Sequence, residues 1–227
     1  MVGLSDGELA LLQQNPLFRA IARTDLGSLL ACLAARRRHY LKGQTVLAEG
    51  QTPTVLGIVL AGSLHISKTD YFGNRNILTE VNSGEIFGEA FVCAGAPTLP
   101  VAVTANEDAQ VLLLDYRRII TTCPAACGFH STLIQNMLEI LARKNMALVD
   151  KLEHITHRSI QEKVLSYLSE QAKHHQSNSF DIPFNRQELA DYLSVDRSSL
   201  STELAKLQDA GALSFRKNHF VLWQPRI

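Results

Sequence analysis

The chain reads as an α+β protein in three parts: a jelly-roll-like β-domain (a β-roll), one long helix, and a winged helix-turn-helix. Two changes of texture predict this order. Between Lys42 and Asp115 short β-type runs recur with Gly43, Gly50, Gly62, Gly73, Gly84 and Gly95 between them, the pattern of an antiparallel barrel or roll. After Pro124 glycine and β-branched residues thin out and helical spacing takes over.

Residues 4–35 predict short helices, because Leu4, Leu9, Leu11 and Leu12, then Phe18, Ile21 and Ala22, then Leu26, Leu29, Leu30 and Leu33 recur at helical intervals. The strands that follow are expected at Thr45–Leu47, Gly57–Leu60, Ser63–Ile66, Asn76–Thr79, Val101–Thr104 and Val111–Leu114. Gly128 to Ile155 can be written as one helix about 40 Å long. That is more than the β-domain needs. Its apolar stripe therefore predicts a seam with a second copy through Leu133, Met137, Leu141, Leu148 and Leu152, although Lys144 interrupts it. The alternative is a helix that packs only on its own β-domain.

From Ser159 a third pattern begins, with a helix over Ile160–His174 and an extended stretch over Phe180–Phe184. Asn185 with Glu188 forms a capping-box arrangement that opens a helix over Arg186–Leu193; Ser194-Val195 makes the turn. Asp196 caps a second helix, Arg197–Ala210, stopped by Gly211. Ala212–Phe215 and His219–Leu222 then flank Arg216-Lys217-Asn218, a wing with a basic tip. The expected domains are 1–127, 128–158 and 159–227.

The second helix of the pair carries the chemistry. Leu200, Leu204 and Leu207 share one face, and Arg197, Ser198, Ser201, Thr202 and Lys206 share the other. An exposed arginine with small hydroxyls suits a DNA major groove: Arg197 can pair with guanine O6 and N7, and the hydroxyls reach bases or phosphates. Asn185 and Arg186 stand at a helix N-terminus, which favours a phosphate, and Lys217 sits on the wing. Double-stranded DNA is the expected partner. Helix pairs of this shape also occur in proteins that bind no DNA, so a winged helix that docks another protein remains the rival.

Composition sets the outer limits. Of 227 residues, 46% are hydrophobic and 19% charged, which excludes disordered or collagenous chains. The 22 Lys+Arg balance 22 Asp+Glu. Divided before residue 140, the halves carry −2 and +2, too little to argue for nucleic acid by itself. There is no basic start with an apolar run, and the longest apolar stretch, Val55 to Leu64, is too short for a bilayer, so a cytoplasmic chain with no membrane partner is expected. No phosphate-binding glycine loop, zinc-protease helix or nucleophile elbow occurs, so an enzyme is not expected. His154, His157, His174 and His175 fall on or beside polar helix faces and are expected in solvent.

The order of parts resembles the Crp/Fnr superfamily of bacterial transcription regulators. The residues that carry the likeness are Lys42-Gly43-Gln44 with Glu49-Gly50, Leu60-Ala61-Gly62-Ser63-Leu64, Gly84-Glu85-Ile86-Phe87-Gly88-Glu89, and the run from Arg186 to Arg197. The resemblance implies a sensor domain of the cyclic-nucleotide-binding type, dimerisation through the long helix, and RNA polymerase as a further partner.

The effector is where the chain departs from the pattern. In cyclic-nucleotide-binding members an Arg-Ser pair about ten residues beyond the Gly-Glu step grips the phosphate, and here those positions are Leu99-Pro100. A buried phosphate without a cation is costly, so cyclic AMP is not expected to bind in that manner. The expected pocket is Phe87, Gly88, Glu89, Phe91, Leu99, Pro100, Lys144 and Asn145, suited to a small organic or anionic effector, with no certain cofactor. A redox, metal or haem sensor using Cys123 and Cys127, or His65 and Cys93, is the alternative. Thr202 stands where the family commonly has arginine, which implies a shifted operator preference.

Overall fold

A strand buried on both faces must be largely apolar, and Val55–Ala61 meets that condition, as does Ala109–Asp115 apart from Gln110 and Asp115 near its ends. They pair antiparallel at the centre of one sheet, with Gly57 opposite Leu113 and Ile58 opposite Leu112. The computed structural model describes residues 3–72, 75–121 and 129–223. The chain divides into two compact units, 1–142 and 143–227, and the division falls inside the long helix.

The first unit opens with α1 (Asp6–Gln14), capped by Ser5 and Glu8, a 3-10 turn over Pro16–Phe18, and α2 (Arg23–Cys32). Its strands are β1 (Arg36–Tyr40), β2 (Thr45–Leu47), β3 (Val55–Ala61), β4 (Leu64–Thr69), β5 (Arg75–Val81), β6 (Ile86–Phe87), β7 (Ala102–Ala105) and β8 (Ala109–Asp115). The short helices α3 (Glu89–Cys93) and α4 (Tyr116–Ile120) follow β6 and β8. Two antiparallel sheets result, ordered β1-β8-β3-β6 and β2-β7-β4-β5. This is the expected β-roll.

Alternation sorts the side chains of β3 and β8 into two cores. Leu56, Ile58, Leu60, Leu112 and Leu114 join Leu12, Leu17, Phe18, Leu26 and Leu29 in a cluster under the N-terminal helices. Val59 and Val111 face the interior of the roll with Leu64, Phe87, Leu99 and Val103. Gly57 leaves room for the Phe87 ring, since a Cβ there would lie 2.2 Å from Cζ. Gly62, at φ +77, closes the β3–β4 turn against the Asp108 carbonyl, which a Cβ would meet at 2.4 Å.

The long helix α5 spans Phe129–Thr156. Leu133, Met137 and Ile140 are sunk in the core of the first unit, and Leu141 packs against it. Asn136, also buried, donates from Nδ2 to the carbonyls of Leu17 and Arg19 at 2.9 and 2.8 Å.

The second unit contains α6 (Ile160–His175), β9 (Ser179–Asp181), α7 (Arg186–Leu193), α8 (Arg197–Asp209), β10 (Leu213–Arg216) and β11 (His219–Leu222). Its core joins Val164, Leu168, Leu189, Leu193, Leu200, Leu204 and Phe220. The extended stretch expected before α7 is a strand: β9 pairs with β11, so the wing is a three-stranded sheet ordered β10-β11-β9.

Candidate functional site

The surface with the clearest chemistry is built by two caps. Asn185 Oδ1 accepts from the Gln187 and Glu188 amides at 2.9 and 3.0 Å while Glu188 Oε2 accepts from the Asn185 amide at 2.7 Å, closing the capping box of α7. Asp196 Oδ2 accepts from the Ser198 and Ser199 amides at 2.9 and 3.1 Å and from the Ser198 hydroxyl. The hydroxyl of Ser198 leads the bonds that hold the Asp196 carboxyl below the usual carboxylate range. Between the caps Ser194 takes φ 53, the left-handed residue that ends α7 and turns the chain into α8.

With Leu200, Leu204 and Leu207 buried, α8 presents Arg197, Ser198, Ser201, Thr202 and Lys206 to solvent. The hydroxyls of Ser201 and Thr202 donate back to the carbonyls of Arg197 and Ser198 at 2.9 and 3.0 Å, which leaves each oxygen able to accept from a base or amine. Lys206 is paired with Glu203 at 2.6 Å, so its charge is partly spent within the helix. Lys217, exposed at φ 57, forms the wing tip beside exposed Arg216, and Asn218 ties that turn to the Ile182 carbonyl at 3.1 Å.

Two of the expected DNA contacts have other tasks in the free protein. Asn185 is occupied as a cap. Arg186 lies over the Phe215 ring at 4.9 Å from the centroid and donates to the Lys217 carbonyl at 3.3 Å, so it straps α7 to the wing. Burial lowers its pKa from the ordinary arginine value.

In the first unit most of the expected pocket residues are enclosed. Phe87 and Leu99 are each 1% exposed and belong to the interior of the roll, with Phe91 packed at its edge. Gly88, at φ 79, starts α3 and is buried; Glu89, the first residue of α3, is buried as well, and Pro100 is exposed. Lys144 and Asn145 are exposed on α5 in the second unit.

The expected seam on α5 divides. Leu133 and Met137 are buried in the core of their own unit. Leu148 and Leu152 are exposed, as are Leu138, Met146 and Val149, each more than half. Cys123, Cys127 and Gly128 lie outside the described residues.

One histidine departs from expectation. His154, read as a solvent-facing residue, is 2% exposed, with Nδ1 3.0 Å from Ser166 Oγ and Nε2 2.5 Å from Glu170 Oε2. Tyr167 stands edge-on to its ring at 5.7 Å. The partners come from α6, one helix later, and no local spacing signals them. Among the described residues no three His, Cys, Asp or Glu side chains are grouped to hold a metal ion, and no described helix is long and apolar enough to cross a membrane.

Comparison with known proteins agrees with this architecture. Residues 37–123 match the model of the cyclic nucleotide-binding domain, and residues 162–225 match the Crp-like helix-turn-helix domain. The cAMP-activated global transcriptional regulator CRP of Haemophilus influenzae is 24% identical over 192 residues, covering 82% of this chain and 84% of the relative. The nitrogen fixation regulation protein FixK of Bradyrhizobium diazoefficiens is 26% identical over 196 residues, covering 84% and 79%. The crystal structure of the Thermus thermophilus catabolite activator protein shares the fold at a TM-score of 0.54, with 21% identity over 92% of this chain and 94% of that one. With a β-roll matched at one end and a helix-turn-helix at the other, the chain belongs to the Crp/Fnr family of DNA-binding transcription regulators.

Proposed function

We propose that the protein works as a cytoplasmic homodimer that reads a palindromic operator and responds to a small organic or anionic effector other than cyclic AMP. The observation that carries the DNA half is the free face of α8, where Arg197 projects among Ser198, Ser201 and Thr202 with no ion pair among the described residues. Residues 1–127 sense, 128–158 dimerise and relay, 159–227 bind DNA, and RNA polymerase is the further partner of a regulator of this kind.

Dimerisation finds support in the bare part of α5. Leu138, Asn145, Val149 and Leu152 fall at steps of seven, four and three along one face, and the three apolar ones are exposed in the single chain. That heptad spacing suits a two-stranded coil, in which a buried asparagine sets register. Val149→Glu should therefore shift the protein from dimer to monomer in sedimentation; a dimer that persists unchanged counts against this seam.

Against cyclic AMP stands the chemistry of the roll. The relative of Haemophilus influenzae is named as cAMP-activated. Here the phosphate-gripping position is Leu99, 1% exposed in an apolar cluster, and the neighbouring element offers the buried acid Glu89. An anion enclosed there would lose hydration without gaining a cation. Calorimetry with micromolar cyclic AMP should show no saturable heat, and a tight isotherm would overturn this part. The reading as a whole is tested by selection from a random duplex pool: enrichment of an inverted repeat with half-sites about one helical turn apart is expected. Failure to enrich any repeat, with or without cell extract, would sink it.

A further inference from the structure

We infer that Cys32 and His130 form a thiol–imidazole pair that makes Cys32 a peroxide-reactive modification site at the root of the long helix. Cys32 closes α2 and is half-buried, in no disulfide; His130, the second residue of α5, is 3% exposed. His130 Nδ1 lies 3.2 Å from the carbonyl oxygen of Ile119. A carbonyl can only accept, so Nδ1 carries the ring proton and Nε2 of the neutral ring is an acceptor. Nε2 stands 3.5 Å from Cys32 Sγ, within reach of the thiol proton. Transfer of that proton leaves a thiolate beside an imidazolium, the arrangement by which a neighbouring base activates a cysteine. The Arg118 guanidinium, whose Nη1 donates to the Cys32 carbonyl at 3.2 Å, adds a second positive charge nearby.

The reaction balances with a hydroperoxide as the oxidant. The thiolate attacks the terminal peroxide oxygen, an S–O bond forms and the O–O bond breaks. Sulfur gives up two electrons and becomes a sulfenic acid. The departing hydroxide or alkoxide takes the proton from His130 Nε2 and leaves as water or alcohol, which restores the neutral ring. Cys93 provides the contrast within the same unit. Burial pushes its thiol up, Tyr116 opposes that through a hydrogen bond, and the Glu89 charge raises it further.

The test uses the full chain and per-residue mass spectrometry. After stoichiometric hydrogen peroxide at neutral pH, dimedone should label Cys32 at least about ten times faster than Cys93, and iodoacetamide alkylation of Cys32 should stay flat well below the ordinary thiol pKa of about 8.5. His130→Asn keeps a donor for the Ile119 carbonyl but removes the base, and should bring Cys32 down to the rate of Cys93. If that variant fails to fold, the pH profile of the unsubstituted protein decides alone. The proposal is overturned if Cys32 reacts no faster than Cys93 and its rate falls about tenfold per pH unit below about 8.5, or if a folded His130→Asn leaves the rate unchanged.

Discussion

Helix α8 and the β6–α3 segment hold their candidate residues in opposite settings. On α8, Arg197, Ser198, Ser201 and Thr202 are exposed over a buried row of leucines. In β6–α3, Phe87, Gly88 and Glu89 are all buried, and Phe87 leans on the bare backbone of Gly57. On the proposed function, the difference follows from the size of what each would meet. A duplex is larger than the domain that reads it and can be met only on a surface, whereas a small ligand can be enclosed. Truncation on α8 should therefore cost binding and spare stability, and truncation in β6–α3 should cost stability first.

The largest expected effect is on the buried side. Phe87→Ala should lower the unfolding free energy by about 3–5 kcal/mol, through lost transfer energy and a cavity. Thermal denaturation measures it; an unchanged midpoint would mean that Phe87 borders open space instead. Next comes Arg197→Ala, which should weaken the selected operator by about 10–100-fold, the worth of one bidentate guanine contact, with an unchanged melting temperature. Lys206→Ala, whose charge is already met by Glu203, should change operator affinity less in the same titration.

Arg186 sharpens the contrast because it lies in the reading unit but is strapped to the wing. Arg186→Ala should cost roughly 0.5–1 kcal/mol of stability from the lost ring contact. Denaturant titration would reveal it, and a loss of DNA affinity without any loss of stability would return Arg186 to the DNA-contacting set. The smallest effect is a pH dependence. The Asp196 carboxyl is held below its usual range by the amides and hydroxyls it caps, so its stabilisation of α8 is fully present above the ordinary value near about 4 and fades as pH falls through the depressed one. Hydrogen exchange at the Ser198 and Ser199 amides should accelerate, relative to amides in the α8 interior, only below about pH 4.

The legible parts of the molecule were those with local signals. The caps at Asn185 and Asp196 and the spacing of Leu200, Leu204 and Leu207 specify α7 and α8 within a dozen residues. Strand β1 carries no such signal: Arg36-Arg37-Arg38-His39 is exposed on both faces and is held by backbone pairing to β8 and by the Arg37 side chain, which reaches Gln110, Glu8 and the Gly3 carbonyl, so nothing alternates. The seam on α5 is ambiguous in sequence for a related reason. Leu133 and Leu138 fit helical stripes equally well, and only tertiary packing decides that the first is taken by the core of its own unit. His154 is buried by Ser166, Tyr167 and Glu170, too distant in the chain for periodicity to register. The ring contacts of Arg186 are invisible to sequence because Phe215 and Phe220 come from strands folded back on it. For the β-roll interior, core side chains and ligand walls are the same residue types, so composition and spacing do not tell one from the other.

The central claim is that two copies of the α8 face, presented by one dimer, read two half-sites. It is tested most directly by titrating the protein against the selected palindrome and against the same duplex with one half-site scrambled, at fixed salt. The account predicts that scrambling one half weakens binding by at least about 100-fold, since the second contact is then lost to an already tethered head. Equal affinity for the two duplexes would contradict it.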